Sequence, residues 1–393
     1  MRYLLLGMAM ICLVGYSHAQ SFEGSAIGKG IRFVPKDSSF SIQWNTRFQT
    51  QYVGVQNLES DEYSDAFTIR RFRLKFKGFL FNPNIQYKTE LALSNRDQGD
   101  FFAEHNGAAS IVLDAVLKWR FAPGWQLWVG QTKLPGNRER VISSGALQLV
   151  DRSRLNSRYN IDRDKGLQLH HEHKVGSVVL REIGSISSGE GRNVTLPNNH
   201  GYDYTGRIEV LPFGKFSSKG DYFGADLARE ESVKLSLAAT YDYNVGTSRE
   251  RGQLGYFIFD ETGEELRSTL STVFVDAYLK YNGWSVMYEY AHKTVAKGEK
   301  SGFGTEGEAR NFYTGQAHNI QGGYLFKNNL SIDGRFTDNQ PDAGVDDPEK
   351  RYEIGFGKYI AGHSLKLQVS TAYRDRLTKD DEMLYFAQLE IGF

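Results

Sequence analysis

The sequence predicts an all-β fold, a transmembrane antiparallel β-barrel of about sixteen strands. Three observations support this prediction. Segments of about ten residues with alternating polar and apolar character recur from residue 40 to the C-terminus. The connections between them are alternately short and long, and the composition is rich in aromatic residues, with 22 Tyr and 25 Phe but a single Cys. Since only alternate residues of each strand face lipid, such a barrel needs no long apolar run.

The clearest alternation lies in the stretch F-T-I-R-R-F-R-L-K-F-K-G-F-L-F-N-P-N, residues 67–84. Its basic face carries Arg71, Arg73, Lys75 and Lys77. Its apolar face carries Phe72, Leu74, Phe76 and Leu80. A period of two residues indicates a β-strand. Four cations on one face suit a strand whose apolar side meets lipid and whose charged side meets a water-filled lumen.

The chain is predicted to consist of three parts. Residues 1–19 are expected to be a secretory signal peptide, with a positive start, a short apolar stretch and the sequence Ser-His-Ala at its end. Residues 20–39 are a polar leader, and residues 40–393 form the barrel. The only cysteine, Cys12, falls within the signal peptide, so the predicted mature chain has no disulfide, cysteine metal site or cysteine nucleophile.

The overall charge excludes a basic field that would recruit nucleic acid. The full chain has 47 Lys+Arg and 47 Asp+Glu. Removal of residues 1–19 deletes Arg2 and no acid, which leaves 46 − 47 = −1. Any preference for anions must therefore come from the local placement of basic residues.

Sixteen strands are predicted, at 40–53, 67–81, 84–95, 110–122, 125–134, 164–173, 176–187, 202–211, 233–243, 270–282, 283–293, 316–327, 329–337, 351–360, 363–374 and 383–393. Tight turns are predicted at Asn82-Pro83, Pro123-Gly124, Lys174-Val175, Asn282-Gly283, Lys327-Asn328-Asn329 and Ala361-Gly362. Long polar loops lie between the other strand ends, at 54–66, 96–109, 135–163, 188–201, 244–269, 294–315 and 338–350. Barrels of this class have short periplasmic turns and long external loops. The segment 211–232 breaks the pattern, and holds either a further hairpin or an extended turn.

Other strands show the same two faces. In the first strand, Arg47 shares the polar parity of Gln43, Asn45 and Gln49, and we therefore place it in the lumen. A soluble β-sandwich or barrel with one dry face is the alternative fold. Sixteen such strands behind a signal peptide, in a mature chain without cysteine, favour the membrane barrel.

Three stretches resemble the phosphate-selective porin O/P family. They are F-T-I-R-R-F-R-L-K-F-K-G (67–78), the run G-Q-T-K-L-P-G-N-R-E-R-V-I-S-S-G-A-L-Q-L-V-D-R-S-R-L-N (130–156) with N-I-D-R-D-K-G-L-Q-L (160–169), and the C-terminal L-Y-F-A-Q-L-E-I-G-F (384–393). The resemblance implies a sixteen-stranded, usually homotrimeric porin in the outer membrane of a Gram-negative bacterium. It also implies that the third external loop folds into the lumen and that basic residues guide anions through it.

The candidate residues of the passage are basic, and on strands they are Arg47, Arg71, Arg73, Lys75, Lys77, Lys88 and Lys133. Lys88 is included because of the register expected for the hairpin at Asn82-Pro83. If Phe81 pairs with Asn84, then Lys77 lies opposite Lys88 and Lys75 lies opposite Glu90. Successive cations on the strand would form a ladder for an anion. The alternative is an ordinary solvated face, since the lumen of any porin is polar.

The loop 135–163 is the predicted constriction. Its candidate pore-lining residues are Arg138, Arg140, Arg152 and Arg154, accompanied by Arg158 and Arg163. Acids lie among them, at Glu139, Asp151 and Asp162. Two interpretations stay open: the arginines form a basic eyelet, or they pair with acids and fix the loop to the barrel wall.

Two patterns could suggest metal sites, and neither predicts one. In His170-His171-Glu172-His173, a strand would place His171 and His173 on one face and the other two residues on the opposite face, so an interfacial patch is favoured. The acidic loop with Asp342, Asp346, Asp347 and Glu349 lacks the spacing of a calcium loop.

These features predict an outer-membrane porin for the passive diffusion of small hydrophilic solutes, with a preference for anions such as phosphate or polyphosphate. Its expected partners are outer-membrane lipid, small anions and two further copies of itself. The sequence predicts no enzymatic reaction, catalytic residue, metal or cofactor. The alternatives are a non-selective general porin, or a non-conducting barrel with an adhesion or hydrolase role.

Overall fold

The computed structural model describes residues 22–23, 27–98, 110–194 and 201–393. Its strands, in chain order, are β1 (Phe22–Glu23), β2 (Ile31–Phe33), β3 (Ile42–Asn57), β4 (Tyr63–Leu80), β5 (Asn82–Ala92), β6 (Val112–Ala122), β7 (Trp125–Lys133), β8 (Arg163–Val175), β9 (Val178–Ser187), β10 (Asp203–Leu211), β11 (Lys234–Thr247), β12 (Ser268–Tyr281), β13 (Trp284–Lys297), β14 (Ser301–Phe303), β15 (Ala309–Asn311), β16 (Gly315–Leu325), β17 (Leu330–Pro341), β18 (Glu349–Tyr359), β19 (Leu365–Arg376) and β20 (Glu382–Gly392). Three short helices are α1 (Asn95–Gln98), α2 (Arg138–Val141) and α3 (Arg154–Tyr159). The predicted signal peptide, residues 1–19, lies outside the described residues.

Sixteen of these strands close into an antiparallel barrel, which confirms the predicted fold class. They are β3–β13 and β16–β20. Each pairs with its neighbours in the chain, and β20 pairs with β3 to close the ring, with Gln388 opposite Gln51. An ion pair between Arg47 and Glu390 crosses this seam at 3.5 Å. Both edges of each barrel strand are thereby hydrogen-bonded to a neighbouring strand, as a structure in lipid requires.

The two faces of the strands separate as their alternation predicts. On β11 the outward Leu237 and Tyr241 are 44% and 51% exposed, whereas the inward Ser236 and Thr240 are at most 2% exposed. The wall thus carries apolar side chains outward and polar side chains inward, the arrangement of a barrel in a membrane. Among the described residues, no helix is long and apolar enough to span a membrane.

One end of the barrel carries short turns and the other carries longer loops. The turn end includes residues 123–124, 176–177, 282–283, 326–329 and 360–364, and the loop end includes the described loops 134–162, 248–267 and 298–314. The last of these loops contains the small hairpin of β14 and β15. In barrels of this class the turn end faces the periplasm.

Two expectations about connections differ from the structure. The predicted loop 54–66 is mostly strand, because β3 and β4 continue as a paired hairpin in which Val55 faces Ser64. The polar composition of this segment is typical of a loop, but the backbone N–H and C=O groups of the two strands form hydrogen bonds with one another. The turn expected at Asn82-Pro83 lies one residue earlier, where Phe81 adopts a left-handed φ of 63° and Leu80 pairs with Asn82.

The predicted leader, residues 20–39, contains regular structure. Two short strands form there: β1 pairs with β2, and β2 pairs with the start of β3, with Arg32 opposite Gln43. The long segment 212–233 adds no strand to the barrel and instead contains a 3-10 turn over Ser217–Tyr222. Of the two possibilities for this segment, the extended turn is therefore the one found.

Candidate functional site

The loop 134–162 folds into the lumen and is called the inserted loop below. Arg138 at the start of α2 donates to Glu209 on β10 at 2.9 Å and to Asp276 on β12 at 3.3 Å. Farther along, the carbonyl of Leu147 accepts from Lys366 on β19 at 2.7 Å. The loop therefore leaves β7 and crosses to the far wall of the barrel.

The segment 212–233 enters the lumen from the turn end and is called the lower segment below. The backbone N–H of Gly224 donates to the carbonyl of Ala146 in the inserted loop at 2.6 Å. Side chains of β12 fix the lower segment, since Lys280 donates to the carbonyl of Gly220 at 2.8 Å and Tyr278 to that of Phe223 at 2.8 Å. The two segments thus meet inside the barrel, beside the wall that contains β12 and β19.

A cavity of about 390 Å³ opens beside the other wall, near the turn end. Five basic side chains line it, and we name this set the basic vestibule: Arg32, Lys75, Lys77, Lys88 and Lys118. The lysines come from β4, β5 and β6, which are consecutive strands of the barrel, and Arg32 comes from β2, which pairs with the start of β3. Alternation along each strand aims these side chains inward, and adjacent strands bring them into one space.

Two lysines of the vestibule keep their charge uncompensated. Within the described residues, neither Lys75 nor Lys77 has a carboxylate oxygen within 4.0 Å. Lys75 does lie opposite Glu90, and Lys77 opposite Lys88, which confirms the expected register. However, Glu90 binds Lys88 at 2.9 Å and Arg73 at 3.0 Å instead, so its negative charge is shared with other cations.

The upper part of the predicted ladder is paired with acids. Arg71 donates to Gln49 at 2.7 Å and to Asp151 of the inserted loop at 3.2 Å. Arg73 contacts Asp97 of α1 through two nitrogens, one at 2.7 Å. Burial would raise the pKa of Asp151, but Arg70 and Arg71 outweigh it and hold the pKa well below its usual range. The ladder therefore runs from neutralised arginines near the loop end to free lysines near the turn end.

Basic side chains crowd together above the vestibule, where the inserted loop approaches β7 and β8. This set comprises Arg140, Arg152, Arg163, Arg192 and Lys133. Burial lowers the pKa of Arg140, and the charges of Arg152 and Arg163 lower it further. Burial likewise lowers the pKa of Arg152 to about 10. Arg140, Arg152 and Arg163 thus lie close enough to repel one another, although Asp114 pairs with Arg163 at 3.2 Å. A crowded set of cations is what a basic eyelet requires.

The same side chains also fix the inserted loop, so the two interpretations of this loop are not exclusive. Arg140 pairs with Asp162. Arg152 donates to the carbonyl of Glu139 at 3.0 Å, and Lys133 to that of Arg140 at 2.7 Å. These bonds to carbonyls hold the backbone without cancelling the positive charge.

Two arginines named as candidates lie elsewhere. The side chain of Arg138 is fully buried among carboxylates. Burial would lower its pKa, but Glu209 and Asp276 outweigh that effect and raise it. Arg154 pairs with Glu349 at the start of β18 and, at 3.6 Å, with Asp346 in the loop that joins β17 to β18. In this structure both residues anchor the inserted loop rather than face the vestibule.

Sequence reasoning missed Lys118, Arg32 and Arg192. Lys118 follows the same alternation as the ladder, between the outward Leu117 and Trp119, and could have been found by that pattern. Its ammonium lies 3.3 Å from the centroid of the Trp128 ring. Arg32 and Arg192 lie in polar segments without periodicity, and no pattern in the sequence places them near the lumen.

Comparisons with known proteins agree with this architecture. A family model described as phosphate-selective porin O and P matches residues 42–330. A protein of Aquifex aeolicus (strain VF5), described only as uncharacterized, is 23% identical over an alignment of 369 residues that covers 85% of this chain and 82% of the relative. An anion-selective porin from Comamonas acidovorans superposes with a TM-score of 0.55 at 8% identity, over 90% of this chain and 100% of that chain. OmpT, an outer membrane protein of Vibrio cholerae solved in a trimer form, superposes with a TM-score of 0.54 at 11% identity, over 90% and 99% of the two chains.

Proposed function

The chain belongs to the phosphate-selective porin O and P family, and we propose that this outer-membrane porin is a passive diffusion channel that prefers small anions such as phosphate. The observation that carries the proposal is the basic vestibule, in which Lys75 and Lys77 have no carboxylate within 4.0 Å among the described residues. Rings of Lys and Arg are a common means of anion selection in pores. No chemical reaction and no cofactor are part of this function.

The spacing of the lysines suits stepwise passage of an anion. Residues two apart on a strand are separated by about 6.6 Å. A strand tilt near 40° converts this to roughly 5 Å of depth per step. One cation–anion contact at 4 Å is worth about 4 kcal/mol at an effective dielectric of 20, but about 1 kcal/mol in bulk water. Selectivity therefore depends on confinement, which the inserted loop and the lower segment provide.

A general porin without ion selectivity is the second candidate. Arg71 and Arg73 are both paired with acids, and the predicted mature chain carries a formal charge near zero. If neighbouring acids also screen the vestibule, its lysines give an anion no more stabilisation than it has in bulk water. The two candidates are distinguished by the reversal potential under a salt gradient, which is zero for a channel without ion preference and nonzero for one that prefers anions.

The test is electrical. Mature protein is reconstituted in a planar bilayer, and the reversal potential is recorded under a KCl gradient with and without added phosphate. The proposal expects chloride preference, and a decrease of the chloride current when phosphate occupies the vestibule. A reversal potential of zero would support the general porin. An absence of channels would overturn both and favour a non-conducting barrel with an adhesion or hydrolase role.

Neutralising a lysine without an acidic partner is expected to lower the anion selectivity more than neutralising an arginine that is paired with an acid. We expect Lys75→Gln to lower the chloride-over-potassium permeability ratio by about threefold or more, since one uncompensated contact in wide water is worth about 1 kcal/mol. Arg71→Gln removes a charge that Asp151 already balances, and its ratio should change less. Reversal potentials of both variants check this order, and a larger effect for Arg71→Gln would contradict it.

Acidification is expected to strengthen the anion preference through Glu190. Burial raises the pKa of this carboxyl to about 7, although its ion pair with Arg267 opposes the shift. Glu190 is thus charged above that pH and neutral below it. As the pH falls from about 8 to about 6, a negative charge two residues from Arg192 disappears.

The expected increase in the permeability ratio is about twofold or less, because ions screen a single charge beyond about 8 Å at physiological salt. Reversal potentials recorded across this pH range measure it. In Glu190→Gln the ratio should stay constant over the same range. If the variant retains the full dependence on pH, another group is responsible.

The remaining expectations belong to the same proposal. We propose export through residues 1–19 as a signal peptide, insertion with the apolar wall against outer-membrane lipid, and assembly as a homotrimer. The trimer is supported by the trimer form of the structurally similar OmpT. Crosslinking in native outer membranes, followed by electrophoresis of unheated samples, tests the assembly.

A further inference from the structure

Three side chains that could bind a metal converge on the outer surface of the barrel. His171 and His173 are two apart on β8, and Glu182 lies directly opposite His171 on β9. The Nδ1 atoms of the two imidazoles approach the same carboxylate oxygen, at 3.0 Å from His171 and 3.6 Å from His173. One ligand atom from each residue lies within 4.8 Å of the other two.

Two of the three separations are close to those around a coordinated ion, and the third is at most 4.8 Å. Zn²⁺ binds imidazole nitrogen and carboxylate oxygen at about 2.0–2.2 Å in tetrahedral geometry, which places neighbouring ligand atoms about 3.3 Å apart. Both measured contacts lie within about 0.3 Å of that value. Two imidazoles and one carboxylate with a fourth position open to water are a ligand set that zinc accepts.

The surroundings favour a structured site over a loose surface cluster. The ring of His171 stacks on Trp125 with centroids 4.0 Å apart, which limits its movement. The Nδ1 atom of His173 is buried and makes no hydrogen bond to any described residue. A buried nitrogen without a donor or acceptor is costly unless something binds it.

The position along the strand keeps the site out of the apolar band. The outward residues before it on β8 are Leu167 and Leu169, which are 48% and 42% exposed and face lipid. Two residues after His173, the strand ends at Val175, and the turn of residues 176–177 follows. The cluster therefore lies at the turn end of the wall, beside an aromatic residue of the kind that occupies membrane–water interfaces.

We propose that His171, His173 and Glu182 form a binding site for one divalent transition-metal ion, of which Zn²⁺ fits the ligands best. The ion connects β8 to β9 where the turn end meets the headgroup region. The site is separate from the passage, because its side chains point outward while His170 and Glu172 of the same strand point inward. Ion permeation and metal binding can therefore be tested independently.

The experiment uses the mature protein, purified in detergent without a polyhistidine tag. Zn²⁺ binding is measured by isothermal titration calorimetry, and Co²⁺ binding by its visible absorption. The variants are His173→Ala and Glu182→Gln. The matched control is His170→Ala, which removes a histidine from the opposite face of the same strand, where it stacks on Trp128.

We expect one Zn²⁺ per chain in the wild type and in His170→Ala, and an affinity at least about 100-fold lower in His173→Ala, since second-shell changes alone cost 10–100-fold. Cu²⁺ should quench the fluorescence of Trp125, and the quenching should be lost in Trp125→Phe. Heat-modifiable migration on electrophoresis confirms that each variant is folded. Absence of stoichiometric binding in the folded wild type, or equal binding by wild type and His173→Ala, would overturn the proposal.

Discussion

Replacing Lys75 and Lys77 together with glutamate is expected to convert the proposed anion preference of the channel into a preference for cations. The double change alters the charge of the vestibule by four units, because two positive side chains become negative while Arg32, Lys88 and Lys118 stay in place. Even at the bulk-water value of about 1 kcal/mol per contact, reversing one contact changes the free energy of an anion by about 2 kcal/mol. That difference exceeds a factor of ten in relative permeability. The two sites act on the same ion in succession, so the effect is larger than for any single neutralisation.

The measurement is the reversal potential in a KCl gradient, whose sign should change. The matched control is Lys297→Glu with Lys300→Glu, the same change of charge at two exposed lysines on the loop end. The control should keep the sign of the wild type. If both double variants shift equally, the selectivity comes from the overall charge of the protein and not from the vestibule.

Replacing Arg138 with alanine is expected to destabilise the barrel by about 3–5 kcal/mol, the usual cost of breaking a buried ion pair from one side. The side chain of Arg138 is completely buried and connects the inserted loop to β10, β11 and β12 through Glu209, Ser236 and Asp276. Its loss removes one of the two arginines that balance Glu209 and Asp276, since Arg207 also pairs with both, and it frees the start of the loop. We therefore expect a lower temperature of heat modification, together with a larger and noisier single-channel conductance.

Arg154→Ala is the matched control, because Arg154 belongs to the same loop but is partly exposed. Its pairs with Glu349 and Asp346 are of the kind that contributes about 1 kcal/mol or less. Thermal unfolding and conductance of this variant should stay close to the wild type. Equal behaviour of the two variants would show that Arg138 does not anchor the loop.

The barrel could be predicted from the sequence because its main determinant is local. Alternation over a few residues decides which side chains meet lipid, and it located all sixteen strands of the barrel. Where alternation and polarity conflict, the prediction was wrong: the ends of β3 and β4 are polar enough to resemble a loop, yet they pair. The position of the turn at Phe81 depended on a single left-handed residue, which a pattern of residue types does not identify.

The charge balance of the passage could not be predicted in the same way. The basic face of β4 is visible in the sequence, but the acids that neutralise half of it come from distant segments. Asp151 reaches Arg71 across 80 residues of sequence, and Asp276 reaches Arg138 across 138. Which cations stay free depends on how the inserted loop folds back, and that is a property of tertiary structure.

The meeting of the inserted loop and the lower segment has a consequence for molecular sieving. In an empty barrel, the number of strands sets the largest solute that can pass. Here two segments, fixed from opposite ends and joined through Gly224 and Ala146, occupy part of the cross-section. The exclusion limit therefore depends on two stretches that take no part in the sheet. During evolution, insertions or deletions in either stretch can change the size of the largest solute that passes, while the sixteen strands and their hydrogen bonds stay unchanged.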